Sequence, residues 1–423
     1  IALIVLLVVF FYLPFYRRLD ITTAYQYLEQ RFNVAARTLG SVVFILFHLG
    51  RVAIVLYLPA IALASVTSIN VYVAIGVIGI LCVVYTVMGG IEAVVWTDAI
   101  QALVLLGGAL LCFVLVVVEV DGGLGAIGAA MTEQGKGVTA NWGGSGISLS
   151  RETSSGWVIL VAFFFANLPS YTVGQDVVQR YLTTASEKEA RKSLWLNIPM
   201  SIIGSAVFFA LGTALYVFYQ ARPELLNPAL EKNDTILPFF IMQNLPVGVA
   251  GLIIAGIFAA SQSTISSSLN SVSTTFVTDL YGRWWRPASD DRARLRVAKR
   301  VVVLVGMAGV LVAAWLAATG LDAVFKAYTT FIGFVLGPLG GLFALGVFAK
   351  GPDGRAGLLA VVAGVAMVVA VFAANEAGLL DLWPLLYGAV GFLTTLTIGL
   401  FLGLFFKAGR EEVGGLTLWT QKK

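Results

Sequence analysis

Residues 259–275, AASQSTISSSLNSVSTT, place a dense row of hydroxyl side chains inside a long apolar segment of the chain. Ser263, Ser266 and Ser267 have the i, i+3, i+4 spacing that puts side chains on one face of a helix. Such a face offers oxygen ligands, and serine and threonine also strain a helix so that backbone carbonyls open, which suits an alkali cation. Close helix packing, for which membrane helices use small residues, is the alternative. The density of hydroxyls favours an ion site.

The whole chain is too apolar for a water-soluble fold. Of its 423 residues, 59% are hydrophobic and 12% are charged, whereas a soluble domain carries about 25% charge. This composition argues against cytosolic enzymes and nucleic-acid-binding proteins, and it indicates an all-α polytopic membrane protein. A membrane helix needs about 20 mainly apolar residues. We predict eleven spans, at residues 1–16, 35–66, 71–88, 92–119, 155–180, 192–220, 247–279, 298–319, 324–349, 356–375 and 382–406.

Lysine and arginine are distributed unevenly over the segments that join these spans. Of 27 such residues, 21 lie in one alternating set of segments and five lie in the other set. Loops rich in lysine and arginine stay on the cytoplasmic side of a membrane. The first set, which includes the C-terminus, is therefore predicted to be cytoplasmic, and Ile1 is predicted to lie on the outer side.

Arg51 is the basic residue that belongs to neither set of joining segments, because it lies deep within a predicted span. It follows Arg37 by 14 residues, which is about 21 Å along a helix and well inside the hydrocarbon layer. An ionisable side chain at this depth is costly and is a candidate functional residue. The planar guanidinium suits bidentate binding of a substrate carboxylate. The alternative is a structural salt bridge to an acidic residue of another helix.

Asp98 is a second charge inside a predicted span. It lies six residues beyond Glu92, about 9 Å into the helix from its inner edge. A buried carboxylate stays charged only with a cation beside it. A sodium ion, which prefers oxygen ligands, would supply that charge. A cytoplasmic arginine would supply it as well, so position alone leaves both interpretations open.

A break is predicted in the span that contains residues 163–181, FFFANLPSYTVGQDVVQRY. Pro169 and Gly174 interrupt the apolar run and lie among polar side chains. Broken helices in transporters free backbone groups that bind substrate near the middle of the bilayer. A simple proline kink, which is common in membrane helices, is the alternative.

The sequence contains no recognisable set of catalytic or metal-binding residues. The two cysteines and the single histidine all lie in apolar runs, where they form no metal-binding or catalytic pattern. We therefore expect no catalytic residues and no enzymatic activity.

Taken in order along the chain, these features resemble the sodium:solute symporter family. YTVMGGIEAVVWTDAIQ at 85–101 resembles the family's Gly-Gly signature ahead of a Thr-Asp pair. ANLPSYTVGQDVVQRY at 166–181 and AASQSTISSSLNS at 259–271 resemble its broken sixth core helix and its sodium-binding eighth core helix. Within the family, FHLGRVAIVLYL at 47–58 and the segments around Asp98 and Arg180 are most similar to bacterial sodium/sialic acid symporters.

The resemblance implies the LeuT-type fold, which contains two five-helix repeats of inverted topology. Residues 1–350 would form the transporter core from the end of core helix 2 to core helix 10. Residues 351–407 would form two accessory helices, and residues 408–423 a cytoplasmic tail. Core helix 1, which contributes to the main sodium site in the family, would be missing. Eleven of about thirteen helices would then be present, and the chain as given would not transport.

The resemblance also implies roles for individual residues, with two sodium ions bound. The implied sodium ligands are Ala260, Ser263 and Thr264 for the main site and Asp98, Ser263, Ser266 and Ser267 for the second site. Arg51 matches the arginine that holds the substrate carboxylate. Asn167 matches a polar position of the substrate site in sugar-transporting relatives.

We therefore expect a secondary active transporter of a bacterial inner membrane that couples sodium entry to uptake of a small carboxylate-bearing solute by alternating access. Sialic acid (N-acetylneuraminate) is the favoured solute. Another organic anion, a sugar, an amino acid or a pantothenate-like solute is the alternative, and a transporter-like membrane sensor is the less favoured function. The sequence does not indicate the oligomeric state.

Overall fold

The computed structural model describes residues 1–64, 67–133, 149, 156–226, 236–319, 321–409 and 413–421, and these are mostly helical. We number the α-helices of this described part in chain order. They are α1 Ala2–Arg17, α2 Ala24–Arg31, α3 Val34–Ala64, α4 Val71–Gly90, α5 Val94–Glu119, α6 Gly123–Thr132, α7 Gly156–Thr172, α8 Gln175–Thr183, α9 Glu187–Ala221, α10 Ile236–Asn244, α11 Val247–Thr275, α12 Asp291–Thr319, α13 Leu321–Phe348, α14 Gly354–Glu376 and α15 Tyr387–Leu402.

The predicted spans correspond to these helices. Within the described residues, nine helical segments are long and apolar enough to cross a membrane, and the bent pair α7 and α8 makes a tenth. The shorter apolar helix α1 accounts for the remaining predicted span. Large apolar side chains point outward along the bundle; Phe209 and Val118, for example, are each 76% exposed. A lipid environment would cover such side chains, as the composition predicts.

A single glycine divides the long apolar segment 71–119 into α4 and α5. Gly90 has φ 57° and ψ −154°, a conformation that residues with a Cβ avoid. Because the chain changes direction here, α5 begins at Val94 and carries Asp98 in its second turn. The kink therefore sets the direction in which Asp98 enters the bundle.

The predicted break in segment 163–181 is present at Gly174. Helix α7 continues through Pro169 to Thr172, and α8 starts at Gln175 with a bend of 49° between the two axes. A Cβ on Gly174 would lie 2.5 Å from the carbonyl oxygen of Ser170, so a larger residue would not fit without movement of the backbone. The break is thus made by the glycine and not by the proline.

Helix α8 is anchored at both ends to the segment around α1 and α2. The fully buried Gln175 accepts a hydrogen bond from the Ala24 amide at 2.9 Å and donates one to the Thr22 carbonyl at 3.0 Å. At the other end, Arg17 donates to the carbonyls of Tyr181 and Thr184 at 3.1 and 2.7 Å. These contacts fix the position of α8 independently of its own charged side chains.

Helix α11 carries the hydroxyl-rich segment. It remains α-helical to Thr275 and then widens into a π-helix over Phe276–Trp285. Many of the hydroxyls donate to the carbonyl one turn earlier, as Ser268 does to Thr264 and Ser271 to Ser267, at 2.8 and 2.7 Å. The expected opening of the helix is therefore not seen, because these side chains bond to carbonyls that stay within the helix.

A buried ion-pair network joins α2 and α3 to the π-helical end of α11. Arg37 contacts Glu29 at 2.6 Å and the fully buried Asp279 at 2.7 Å, and Thr23 donates to the same oxygen of Asp279 at 2.8 Å. Burial disfavours the charge on Glu29, but hydrogen bonds from Arg283 and Arg37 outweigh it and lower the pKa of this carboxyl. The network holds three helical segments together with charges of alternating sign.

We expect Arg37→Ala to destabilise the protein strongly, because Asp279 would stay buried without its counter-charge. Loss of one partner of a buried ion pair costs about 3–5 kcal/mol. The measurement is thermal unfolding in detergent. Arg191→Ala is the matched control, since Arg191 pairs with Glu187 on an exposed surface, where such a pair contributes about 0.3–0.5 kcal/mol. Equal shifts of Tm in the two variants would contradict this account.

Gly90→Ala is expected to lower Tm through backbone strain alone, because no atom lies within 4 Å of the added Cβ. Strain of this kind costs about 1–3 kcal/mol. The control is Gly107→Ala, whose added Cβ also meets no atom within 4 Å but whose backbone is helical. That substitution should leave stability unchanged or raise it. An unchanged Tm for Gly90→Ala would show that the kink does not require glycine.

Candidate functional site

A cavity of about 980 Å³ lies among α3, α5, α8, α9 and α11. Its volume is at the upper end of the range that holds small organic ligands. The predicted site residues that line it are Arg51, Asp98, Ser263, Thr264 and Ser267. Asp176 and Arg180 of α8 line the same cavity. Charged groups of both signs and hydroxyls therefore face one space inside the bundle.

Arg51 makes an ion pair with Asp176 across the gap between α3 and α8. Its Nη1 donates to Oδ2 of Asp176 at 3.0 Å. The Arg51 side chain is 29% exposed toward the cavity, and within the described residues Nη1 is its one hydrogen-bonding nitrogen. The salt-bridge alternative is thus realised in this structure. Because a guanidinium has five N–H donors, the pair leaves most of the donors of Arg51 available to a ligand.

Asp98 makes a second ion pair with the same helix. Nη2 of Arg180 lies 2.7 Å from Oδ2 of Asp98 and 2.8 Å from Oγ of Ser267. Ser267 in turn donates to Oδ2 of Asp98 at 3.1 Å. An arginine therefore supplies the counter-charge that a buried carboxylate needs. The other carboxylate oxygen, Oδ1, is buried and accepts no hydrogen bond from the part of the chain that is described.

Three predicted site residues lie outside the cavity lining. Ser266 is fully buried and donates to the Ser263 carbonyl at 3.1 Å. Ala260 has a backbone carbonyl as its polar group, and this carbonyl accepts a long hydrogen bond of 3.4 Å from Thr264. Asn167 donates to the Phe163 carbonyl of its own helix at 2.8 Å. The structure thus brings five predicted residues together and leaves these three apart.

Asp176 and Arg180 are the functional candidates that the sequence interpretation missed. Both belong to the segment 163–181, in which the sequence predicts a helix break but assigns no role to either charge. A spacing of i, i+4 between opposite charges within one half of a broken span was the available signal. Their partners on α3 and α5 lie far away in sequence, so the pairing itself was not predictable.

The oxygen atoms around Asp98 suit an alkali cation. Asp98, Ser263 and Ser267 line the same cavity with one carboxylate and two hydroxyls, and hard cations prefer such ligands. Within the described residues, no cluster of three His, Cys, Asp or Glu side chains is placed to hold a metal ion. Carboxylate and hydroxyl oxygens are ligands of the kind that hard cations prefer over soft metals.

The model of the sodium:solute symporter family matches residues 1–364 of the chain. The chain belongs to this family. It is 42% identical over 406 residues to the sodium/sialic acid symporter SiaT of Proteus mirabilis, covering 96% of the chain and 80% of that protein. It is 39% identical to the sodium/sialic acid symporter NanT of Aliivibrio fischeri in an alignment of 426 positions, which covers 100% of the chain and 82% of that protein.

A solved structure supports the same assignment. A Na⁺-coupled sialic acid symporter in a substrate-bound, outward-open state superimposes on the chain with a TM-score of 0.86 and 40% sequence identity. The superposition covers 96% of the chain and 82% of that structure. The predicted all-helical, LeuT-type fold is thus confirmed. The chain is a multi-pass membrane transporter of the sodium:solute symporter family.

Proposed function

We propose that this protein is a sodium-coupled symporter that takes up sialic acid by alternating access. The observation that carries the proposal is the cavity, in which an arginine able to bind a carboxylate and an oxygen set able to bind sodium face the same space. Membership of the family supports sodium coupling. The two bacterial relatives at 42% and 39% identity support sialic acid as the solute, since that activity is in their names.

In this proposal Arg51 binds the carboxylate of the solute. The intramembrane position of Arg51 and its exposure to the cavity support this role. Asn167 is proposed as a second solute contact through its Oδ1 and its second N–H, which the bond to the Phe163 carbonyl leaves available. The solute is a monovalent anion, so Arg51 supplies its counter-charge inside the bilayer.

Two sodium sites are proposed on α11. The second site combines Asp98 with Ser263, Ser266 and Ser267, and its support is the contact between Ser267 and Asp98 at 3.1 Å. The main site combines Ser263 and Thr264, which face the cavity, with the carbonyl of Ala260. Two sodium ions crossing 100 mV would supply about 4.6 kcal/mol, of which the entry of one anion would use about 2.3 kcal/mol.

We further propose that the protein lies in a bacterial inner membrane with its C-terminus in the cytoplasm. The excess of lysine and arginine on the C-terminal side supports this orientation. The described tail residues pack on that end of the bundle. Trp419 donates to the Phe348 carbonyl at 2.9 Å, and Tyr27 donates to the Leu416 carbonyl at 3.1 Å.

The division into a core at 1–350, accessory helices at 351–407 and a tail at 408–423 remains part of this proposal.

We expect the full-length protein in proteoliposomes to accumulate labelled sialic acid when an inward sodium gradient is applied. Arg51→Ala should raise KM at least about 30-fold, because loss of one partner of a desolvated charge pair costs about 2–5 kcal/mol. Arg191→Ala, which removes an exposed arginine, is the control. Uptake that is unaffected by Arg51→Ala would contradict the role of Arg51. Stronger competition by a monocarboxylate or pantothenate than by sialic acid would identify another solute.

We expect Asp98→Ala to change the sodium dependence of the same uptake. With one carboxylate ligand removed, the Hill coefficient for sodium should fall from near two toward one, because a single site would remain. Glu187→Ala, which removes an exposed carboxylate, is the control. A sodium-dependence curve identical to that of the unmodified protein would exclude Asp98 as a ligand.

A further inference from the structure

One helical turn joins the two ion pairs of the cavity. Asp176 and Arg180 are four residues apart on α8, so their side chains lie on the same face of the helix. Asp176 reaches Arg51 of α3, and Arg180 reaches Asp98 of α5. Four charges of alternating sign, Arg51, Asp176, Arg180 and Asp98, thus form a charge chain from the proposed substrate arginine to the proposed sodium carboxylate.

We propose that this charge chain couples the sodium site to the substrate site. Sodium binding at Asp98 displaces Arg180, which then pairs with Asp176 one turn back along α8. Asp176 in turn releases Arg51, whose guanidinium becomes free for the substrate carboxylate. The inference rests on the proposed function and adds Asp176 and Arg180 to it as positioning residues.

The first step is a competition for oxygen atoms. Arg180 now contacts Oδ2 of Asp98 and Oγ of Ser267, two of the atoms that a sodium ion between these side chains would need. Arg180 is also the more exposed partner, since its side chain is 42% exposed whereas that of Asp98 is 13% exposed. The buried Oδ1 of Asp98, which has no hydrogen-bond partner among the described residues, gives the incoming ion a ligand that Arg180 does not occupy.

The second step is a change of partner within α8. Opposite charges at i and i+4 are favourably placed to pair on a helix. From the residues that the structure describes, Asp176 accepts one side-chain hydrogen bond, which Arg51 donates at 3.0 Å. The neighbouring His48 has its Nε2 3.8 Å from Oδ1 of Asp176, which is too far for a hydrogen bond. A second guanidinium can therefore compete with Arg51 for this carboxylate.

The third step makes the coupling positive, so that each ligand raises the affinity for the other. Once Asp176 pairs with Arg180, Arg51 has lost its one counter-charge among the described residues and binds an external carboxylate more tightly. Coupling between two binding sites is reciprocal, so a carboxylate on Arg51 also raises the affinity for sodium. Couplings of this kind commonly change affinity by about 5–150-fold, and we expect at least about fivefold here.

The substrate-free test measures the sodium concentration that gives half of the maximal thermal stabilisation, with choline replacing sodium. Arg180→Gln should lower this concentration at least about fivefold, because the internal competitor for Asp98 is gone. Asp176→Asn should raise it, because Arg180 loses its charged alternative partner. Arg180→Lys keeps a positive charge at this position, so its half-maximal sodium concentration should lie closer to that of the unmodified protein than the value for Arg180→Gln does. Arg191→Gln is the surface control and should change nothing.

The second arm measures the Kd for sialic acid by calorimetry at low and at high sodium. The unmodified protein should have a lower Kd at high sodium than at low sodium. The ratio of the two Kd values should be at least about threefold smaller in Asp176→Asn and in Arg180→Gln. At low sodium, Asp176→Asn should bind sialic acid more tightly than the unmodified protein, since Arg51 is held less firmly.

The outcomes separate the coupling from the function. If the unmodified protein responds to sodium and to sialic acid but both α8 variants behave as it does, the charge chain is refuted and the symporter function stands. If the unmodified protein shows neither sodium stabilisation nor sialic acid binding, the proposed function fails and the charge chain fails with it.

Discussion

A charge inside a bilayer persists only when an opposite charge or a set of dipoles compensates it. In the described cavity, the compensation comes from one short helix. Asp176 and Arg180 of α8 neutralise Arg51 of α3 and Asp98 of α5, at 3.0 and 2.7 Å. Each contact joins α8 to a helix that is distant in sequence, so α8 compensates the charges of both α3 and α5.

Two glycines give the charged helices the directions that such pairing requires. Gly90, with φ 57°, turns α5 away from α4 so that Asp98 enters the bundle from a new angle. Gly174 ends α7 and lets α8 start with a bend of 49°. Because neither glycine contributes a side chain, their effect is purely on backbone geometry. Backbone conformation at the two glycines therefore sets the directions of α5 and α8, and the ion pairs form between side chains that these directions bring together.

Long apolar segments made the helices predictable, because each span is determined by its own residues. The break near Pro169 was also predictable, although the glycine five residues later makes it. The ion pairs were not predictable, since the partner of Arg51 lies 125 residues away. Nor does the sequence distinguish Ser267, which faces the cavity, from the buried Ser266, which bonds to its own helix. That distinction depends on how α11 is rotated against its neighbours.

The two ion pairs occupy the groups that we assign to sodium and to the substrate, so both pairs must open when sodium and substrate are bound. The most direct test is a cryo-electron microscopy structure of the protein with sodium and sialic acid bound together. We expect Arg51 to contact the sialic acid carboxylate, sodium to contact Asp98, and Arg180 to lie beside Asp176. Sodium and sialic acid bound in the cavity while Arg51–Asp176 and Arg180–Asp98 both keep their present distances would contradict this expectation.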